Sequence, residues 1–299
     1  MRAGATRHPL ATFFLLAFAG SWVLWSPMWL TREGIGLIPV DLPTGAVVLV
    51  NQLGLFGGPF AAALVTAHLA HGRGGARALL RRLVRFRIPW WCWLVAILAV
   101  PVAVAVWSLA TGPVTVSVPM LVQLAVIAVV YLIGGPLQEE TGWRGVALPH
   151  LQRRLHPLPA ALVLGVVHCC WHLPLFFTRS WETERGDPAQ LVAYLLLTVS
   201  LAVVLAWVTN AAGGSLVPAV LGHNGVNWAM AAVALLTGTA ASTIPAALGL
   251  TVLALLAVVL TRGRLGIDRA GSVIAPAPPA EPAQRRRIAR FTRAVQLPV

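Results

Sequence analysis

Three stretches of this 299-residue chain carry ionisable or amide side chains one helical turn apart within otherwise apolar sequence. The first is Gly134-Gly135-Pro136-Leu137-Gln138-Glu139-Glu140-Thr141-Gly142-Trp143-Arg144. On a helix Glu140 and Arg144 stand at i,i+4 and can form an ion pair, while Glu139 points about 100° away. Arg144 then keeps Glu140 ionised and structural. Glu139 is left to an apolar, partly wet setting in which a carboxylate can act as a general base. The alternative is two interfacial carboxylates reaching to water.

The second stretch is Leu164-Gly165-Val166-Val167-His168-Cys169-Cys170-Trp171-His172. His168 and His172 have the i,i+4 spacing that lets two imidazoles converge on one metal ion or one substrate group. The alternative is a pair of neutral histidines bonded to backbone. The third, His223-Asn224-Gly225-Val226-Asn227, again sets two polar groups one turn apart. An Asn amide can donate to a developing oxyanion, or His and Asn can simply bond neighbouring membrane helices. Each stretch alone is ambiguous. A carboxylate, two histidines and an amide on separate helices are, however, the groups needed to activate a water and stabilise a tetrahedral intermediate.

Those side chains must be positioned by membrane helices. The chain is 58% hydrophobic and only 10% charged, too little polar surface to coat a water-soluble globule. Windows of about 19 residues place eight apolar spans near 11–30, 45–70, 89–111, 118–138, 158–178, 189–209, 215–236 and 241–261. The fold class is an all-α polytopic membrane helix bundle. The run 11–30 is long for a secretory leader and lacks a clear cleavage site, so it is read as a retained span. Pro59 and Pro101 fall within spans, where kinks or neighbours must satisfy the freed carbonyls.

The formal charge of +13 comes entirely from arginine, with no lysine. The arginines sit between spans and form no basic face on a soluble domain, which excludes a nucleic-acid partner. With both termini cytoplasmic, Arg2, Arg7, the run Arg73 to Arg87, Arg144, Arg153, Arg154 and the tail arginines all fall inside, as the positive-inside rule asks. Arg32, Arg179 and Arg185 fall outside, where Glu182, Glu184 and Asp187 also cluster. Gly74–Arg87 suits a helix lying in an anionic cytoplasmic interface. Residues 1–10 are read as a cytoplasmic N-terminus, 11–262 as the transmembrane domain and 263–299 as a basic, disordered cytoplasmic tail, in a multi-pass plasma-membrane protein. Cys92, Cys169 and Cys170 imply neither a disulfide framework nor a cysteine zinc site.

Glu139-Glu140-x-x-x-Arg144, His172 within Trp-His-Leu-Pro, and His223-x-x-x-Asn227 after Gly-Ser-Leu-x-Pro-Ala together resemble the CPBP (Abi) family of CAAX proteases and bacteriocin-processing enzymes, which are intramembrane endopeptidases. Gly58-Pro59 and the passage from Arg81-Arg82 to Pro89-Trp90 add to the resemblance, which puts the protease core at about 118–236. It implies a peptide or membrane-protein substrate, with Glu139 as general base, His172 helping to hold the water and His223 with Asn227 binding the carbonyl oxygen. Glu140 and Arg144 would support the site. Family members have been described both as zinc enzymes and as glutamate-dependent enzymes without a required metal, so zinc stays open, with Glu139, His172 and His223 as its ligands. The resemblance also implies a cavity open to the cytoplasm, with Glu139 at a cytoplasmic span end. One position departs from the family pattern: His168 stands where an aromatic residue is usual. It is read as a cavity-lining change, the alternative being an added metal ligand. Two other function classes remain, a non-catalytic scaffold or immunity protein and a proton-coupled transporter.

Overall fold

The computed structural model describes residues 8–111, 113–179 and 187–267. Arg2, Arg7, the external residues Glu182, Glu184 and Arg185, and the basic tail from Asp268 onward lie outside the described residues. Six helices are long and apolar enough to cross a bilayer: α2 (Thr44–Val84), α3 (Trp90–Ala110), α4 (Val118–Gln152), α6 (Pro188–Ala211), α7 (Val217–Thr237) and α8 (Thr243–Thr261). Two shorter apolar helices, α1 (Pro9–Leu24) and α5 (Pro157–Trp171), complete eight. Helical bonding ends earlier in these two than the apolar runs do. α1 breaks at Trp25 before a further turn, Ser26–Leu30, and α5 stops at Trp171 before a tight turn at Leu175–Phe177. The protein is thus a polytopic helical membrane protein.

Bonds between connections show which helix ends share a side. Arg179 N donates to Glu33 O, Gln190 Nε2 to Ser242 Oγ and Thr115 N to Leu236 O, which ties together the ends near residues 30–43, 115, 179–190 and 236–243. At the opposite end Leu216 N donates to Arg82 O, Ser215 Oγ to Arg85 O, and Asn210 Nδ2 to Leu265 O. His8 and Leu10 share a surface hollow with His150, Arg153 and Arg154 on that same side. Consecutive helices therefore alternate in direction.

Small residues let α1 and α2 meet closely. A Cβ at Gly20 would collide with Gly57 O, and Ser21 Oγ donates to Gly54 O at 2.8 Å. Both intramembrane prolines lie at π turns, Pro59 within Phe56–Phe60 and Pro101 just after Val95–Ala99. Widening the helix by one residue accommodates the missing N–H. α2 bends again at Gly72, whose φ of 66° suits glycine. Beyond it the helix runs to Arg81 and closes in a tight turn at Arg82–Val84.

α4 differs most from the expected span. It does not end at 138 but breaks at Gly134-Gly135 and resumes at Pro136, the ring pre-set for a first helical position. The carbonyls released at the break are bonded by amides: Gln138 Nε2 donates to Ile133 O, and Gln52 Nε2 to Gly134 O at 3.2 Å. A third π turn, Trp143–Ala147, follows the acidic motif.

Candidate functional site

The break in α4 places Glu139 in the first turn of a new helix, where the aligned backbone dipoles favour a negative charge. Glu139 is therefore in the middle of the bundle, with some thirteen residues of helix beyond it, and not at a span end. Both carboxylates are buried, Glu139 at 5% and Glu140 at 0% exposure.

Their partners differ. Glu139 Oε2 accepts from His168 Nε2 at 2.7 Å, across from α5. Glu140 Oε1 accepts from Arg144 Nη1 at 2.9 Å, the i,i+4 pair read from spacing. The same oxygen lies 2.7 Å from His223 Nδ1 on α7, 83 residues away, a contact that no local spacing could show. His172 Nδ1 donates to His168 O at 3.1 Å, which leaves Nε2 as an acceptor.

Four of the expected residues, Glu139, His172, His223 and Asn227, line one cavity of about 560 Å³. A methyl on Gly135 would stand 3.4 Å from Glu139 Oε1 and 4.0 Å from Asn227 Nδ2. The glycine thus leaves open the space between carboxylate and amide. α7 is held in place by Asn224 Nδ2 to Ala128 O and Trp228 Nε1 to Leu124 O, each at 3.0 Å.

His168 is not among the cavity-lining residues, so the cavity-lining reading is corrected. It sits behind Glu139, 2% exposed, against the rings of Trp143 and Trp171 at centroid distances of 5.1 and 5.9 Å. Trp143 in turn packs edge-on against Phe13 at 5.4 Å. This apolar backing leaves the His168 ring little choice but to bond Glu139.

The metal set also differs from the expected one. Among the described residues, the group whose donor atoms all lie within 4.8 Å of one another is Glu139, His168 and His172. His223 is replaced in it by His168, because His223 turns its Nδ1 to Glu140. Two imidazoles and one carboxylate within that spread suit a zinc-type ion.

Sequence reasoning overlooked several supporting residues. Gln52, with Asn51, is an amide pair in an apolar span, a signal that was available. Arg82 was singled out only within the Arg81-Arg82 to Pro89-Trp90 passage of the resemblance, and its inward bonds were not foreseen. It turns inward, its guanidinium donating to Gly214 O at 2.6 Å, Gly145 O at 2.7 Å and Arg144 O at 3.2 Å. Arg82 is itself half-buried and, with Gly145 and Val146, lines a separate hollow of about 400 Å³ at the arginine-rich end.

The cavity runs the other way. It is bounded by Met28, Val47, Asn51, Tyr194 and Thr243, all toward the helix ends that carry Glu33 and Ser242. An opening at the arginine-rich end, where α1 begins, was expected. The structure places it opposite, because α4 continues beyond Glu139 and fills that end.

Fold and site together define a polytopic helical membrane protein with a buried glutamate–histidine cluster open to an intramembrane cavity. Residues 121–229, which hold every motif residue, match the family model for the Rce1-like type II CAAX prenyl endopeptidases. A 92-residue stretch is 26% identical to CAAX prenyl protease 2 of Methanococcus maripaludis, covering 30% of this chain and 34% of that protein. The chain thus spans about a third of this relative's length. Through this core the chain is similar to the type II CAAX prenyl endopeptidases.

Proposed function

We propose that the protein is an intramembrane endopeptidase of the CAAX-protease-like type, in which Glu139 activates the attacking water. The observation that carries this reading is the convergence of Glu139, His172, His223 and Asn227, from three helices, on one cavity. A water beside Glu139 Oε1 gives up its proton to the carboxylate as it attacks the peptide carbonyl, with the His172 Nε2 lone pair holding the other hydrogen. The carbonyl oxygen becomes negative within reach of Asn227 Nδ2 and His223. To donate at Nε2 while also bonding Glu140 through Nδ1, His223 carries both protons, with the Glu140 carboxylate as counter-charge. The proton held by Glu139 passes to the amine as the C–N bond breaks.

His168 positions Glu139. Its bond to Oε2 turns Oε1 toward Gly135 and Asn227. If a zinc-type ion is held, Glu139, His168 and His172 hold it, and it would supply Lewis-acid polarisation of the carbonyl. The substrate is a peptide or the end of a membrane-associated protein.

The test is capture with Glu139→Gln in membranes and identification of co-purified peptides by mass spectrometry, followed by cleavage assays on those peptides. The parent should cleave them and the variant should not, with unchanged thermal stability. Cleavage by the variant at the parent's rate would remove Glu139 from the chemistry. Proton flux in liposomes without any cleavage would favour a transporter instead.

A further inference from the structure

At Gly72 α2 folds back on itself. The two halves meet so closely that a Cβ at Gly75 would stand 2.3 Å from Ala67 O. The second half packs on α4, where a Cβ at Gly145 would meet Leu79 Cδ1 at 2.7 Å. This elbow and the last turns of α4 enclose the hollow of about 400 Å³ that Arg82 lines, within the roughly 300–1,000 Å³ range of small-ligand sites.

Its polar lining is basic. His71 and Arg82 come from α2, His150 from the last turn of α4 and Arg153 from just beyond it. A second hollow, also of about 400 Å³, shares His150 and Arg153 and adds His8 and Arg154. No carboxylate lines either one, and among the described residues none of these arginines stands in an ion pair. Arg82 donates three of its five N–H groups to the carbonyls of Arg144, Gly145 and Gly214, which leaves two. Those carbonyls are neutral, so its charge is uncompensated. His150 Nδ1 donates to Val146 O at 2.8 Å, and Nε2 is left over. Like charges gathered about a half-buried hollow repel one another, and an anion seated between them relieves that repulsion.

The rest of the lining is small and apolar, with Ala67, Ala70, Ala78 and Val146. The hollow also lies where α4 ends and the arginine-rich connections begin. At such a span end the anions a bilayer offers are headgroup phosphates, whose oxygens match the planar fork of arginine, and basic pockets between membrane helices take them.

We propose that the elbow hollow binds a phosphate group, supplied by the headgroup of an anionic phospholipid. Arg82 from α2 and Arg153 beyond α4 hold its oxygens, His71 and His150 add donors when protonated, and the small apolar wall receives the glycerol end. None of these residues lines the Glu139 cavity, so the site stands apart from the endopeptidase reading.

Lipid titration tests it. Full-length protein is stripped of lipid in detergent and titrated with phosphatidylglycerol, phosphatidylcholine or inorganic phosphate. Bound lipid is counted by native mass spectrometry, and the melting temperature is followed in parallel. Phosphatidylglycerol should bind and raise the melting temperature. Inorganic phosphate and phosphatidylcholine, whose choline cancels the charge, should do so far more weakly. Arg153→Gln, at an exposed position, should weaken phosphatidylglycerol binding about tenfold, the scale of one lost hydrogen bond to a charged group. Arg87→Gln removes the same charge from a position that lines neither hollow and should leave the affinity unchanged. Arg82 is kept, because its three carbonyl bonds hold the fold. Equal weakening by the two variants would overturn the proposal in favour of a diffuse basic surface, and equal binding of the two lipids would overturn it as well. Stabilisation by inorganic phosphate without any by phosphatidylglycerol would overturn the phospholipid as the occupant.

Discussion

Glu139 and Glu140 are neighbours in sequence, equally deep in the membrane and identical in chemistry, yet their surroundings give them different uses. Glu140 is wholly buried, and one of its oxygens accepts from both Arg144 and His223, which ties α4 to α7. Glu139 has a single side-chain bond, to His168, and keeps Oε1 toward a cavity. What separates the paired carboxylate from the one at the cavity is the side of the helix it occupies: about 100° of rotation turns one to a cation and the other to open space.

That contrast can be broken most directly by exchanging charge for amide at each position. Glu139→Gln should lower the cleavage rate by about 10²–10⁴-fold with little change in melting temperature. Glu140→Gln should act on the fold instead, costing about 3–5 kcal/mol by leaving Arg144 buried without its anion, as read by thermal unfolding in detergent. If Glu140→Gln were as stable as the parent and inactive, the two roles would have to be exchanged.

Smaller changes sharpen the comparison. Asn227→Ala removes an amide beside the open space and should reduce kcat by about 10²–10³-fold, with KM nearly unchanged. A rise in KM alone would make the amide a ground-state contact. His168→Phe removes the one hydrogen bond to Glu139 and should cost about tenfold in kcat, the scale of one lost buried hydrogen bond. The same variant lacks one of three donors for an ion, so a zinc titration indistinguishable from the parent's would set aside the metal set of Glu139, His168 and His172.

The helices and motif spacings were legible because apolar length and i,i+4 geometry are local properties. Six spans, the two shorter apolar helices and the Glu140–Arg144 pair could be read that way. The Gly134-Gly135 break was present in the sequence, but its effect was not: two glycines before a proline can end a helix or interrupt it, and only packing of residues 136–152 under the site decides. Reading it as an end put Glu139 at a span end, whereas the helix resumes and runs on to Gln152. The bonds from His223 to Glu140 and from His168 to Glu139 join different helices, so they depend on rotation about axes that sequence periodicity does not specify. Arg82 shows the same limit. One arginine among several in the α2–α3 region turns inward because three carbonyls await it, and composition counts it with the others.

That arginine has an electrical consequence. With a cavity of about 560 Å³ on one side of Glu139 and a hollow of about 400 Å³ on the other, the insulating thickness at this point is the layer between them. Within it Arg82 is a fixed positive charge held by Arg144, Gly145 and Gly214 carbonyls. A cation crossing there meets repulsion as well as loss of hydration.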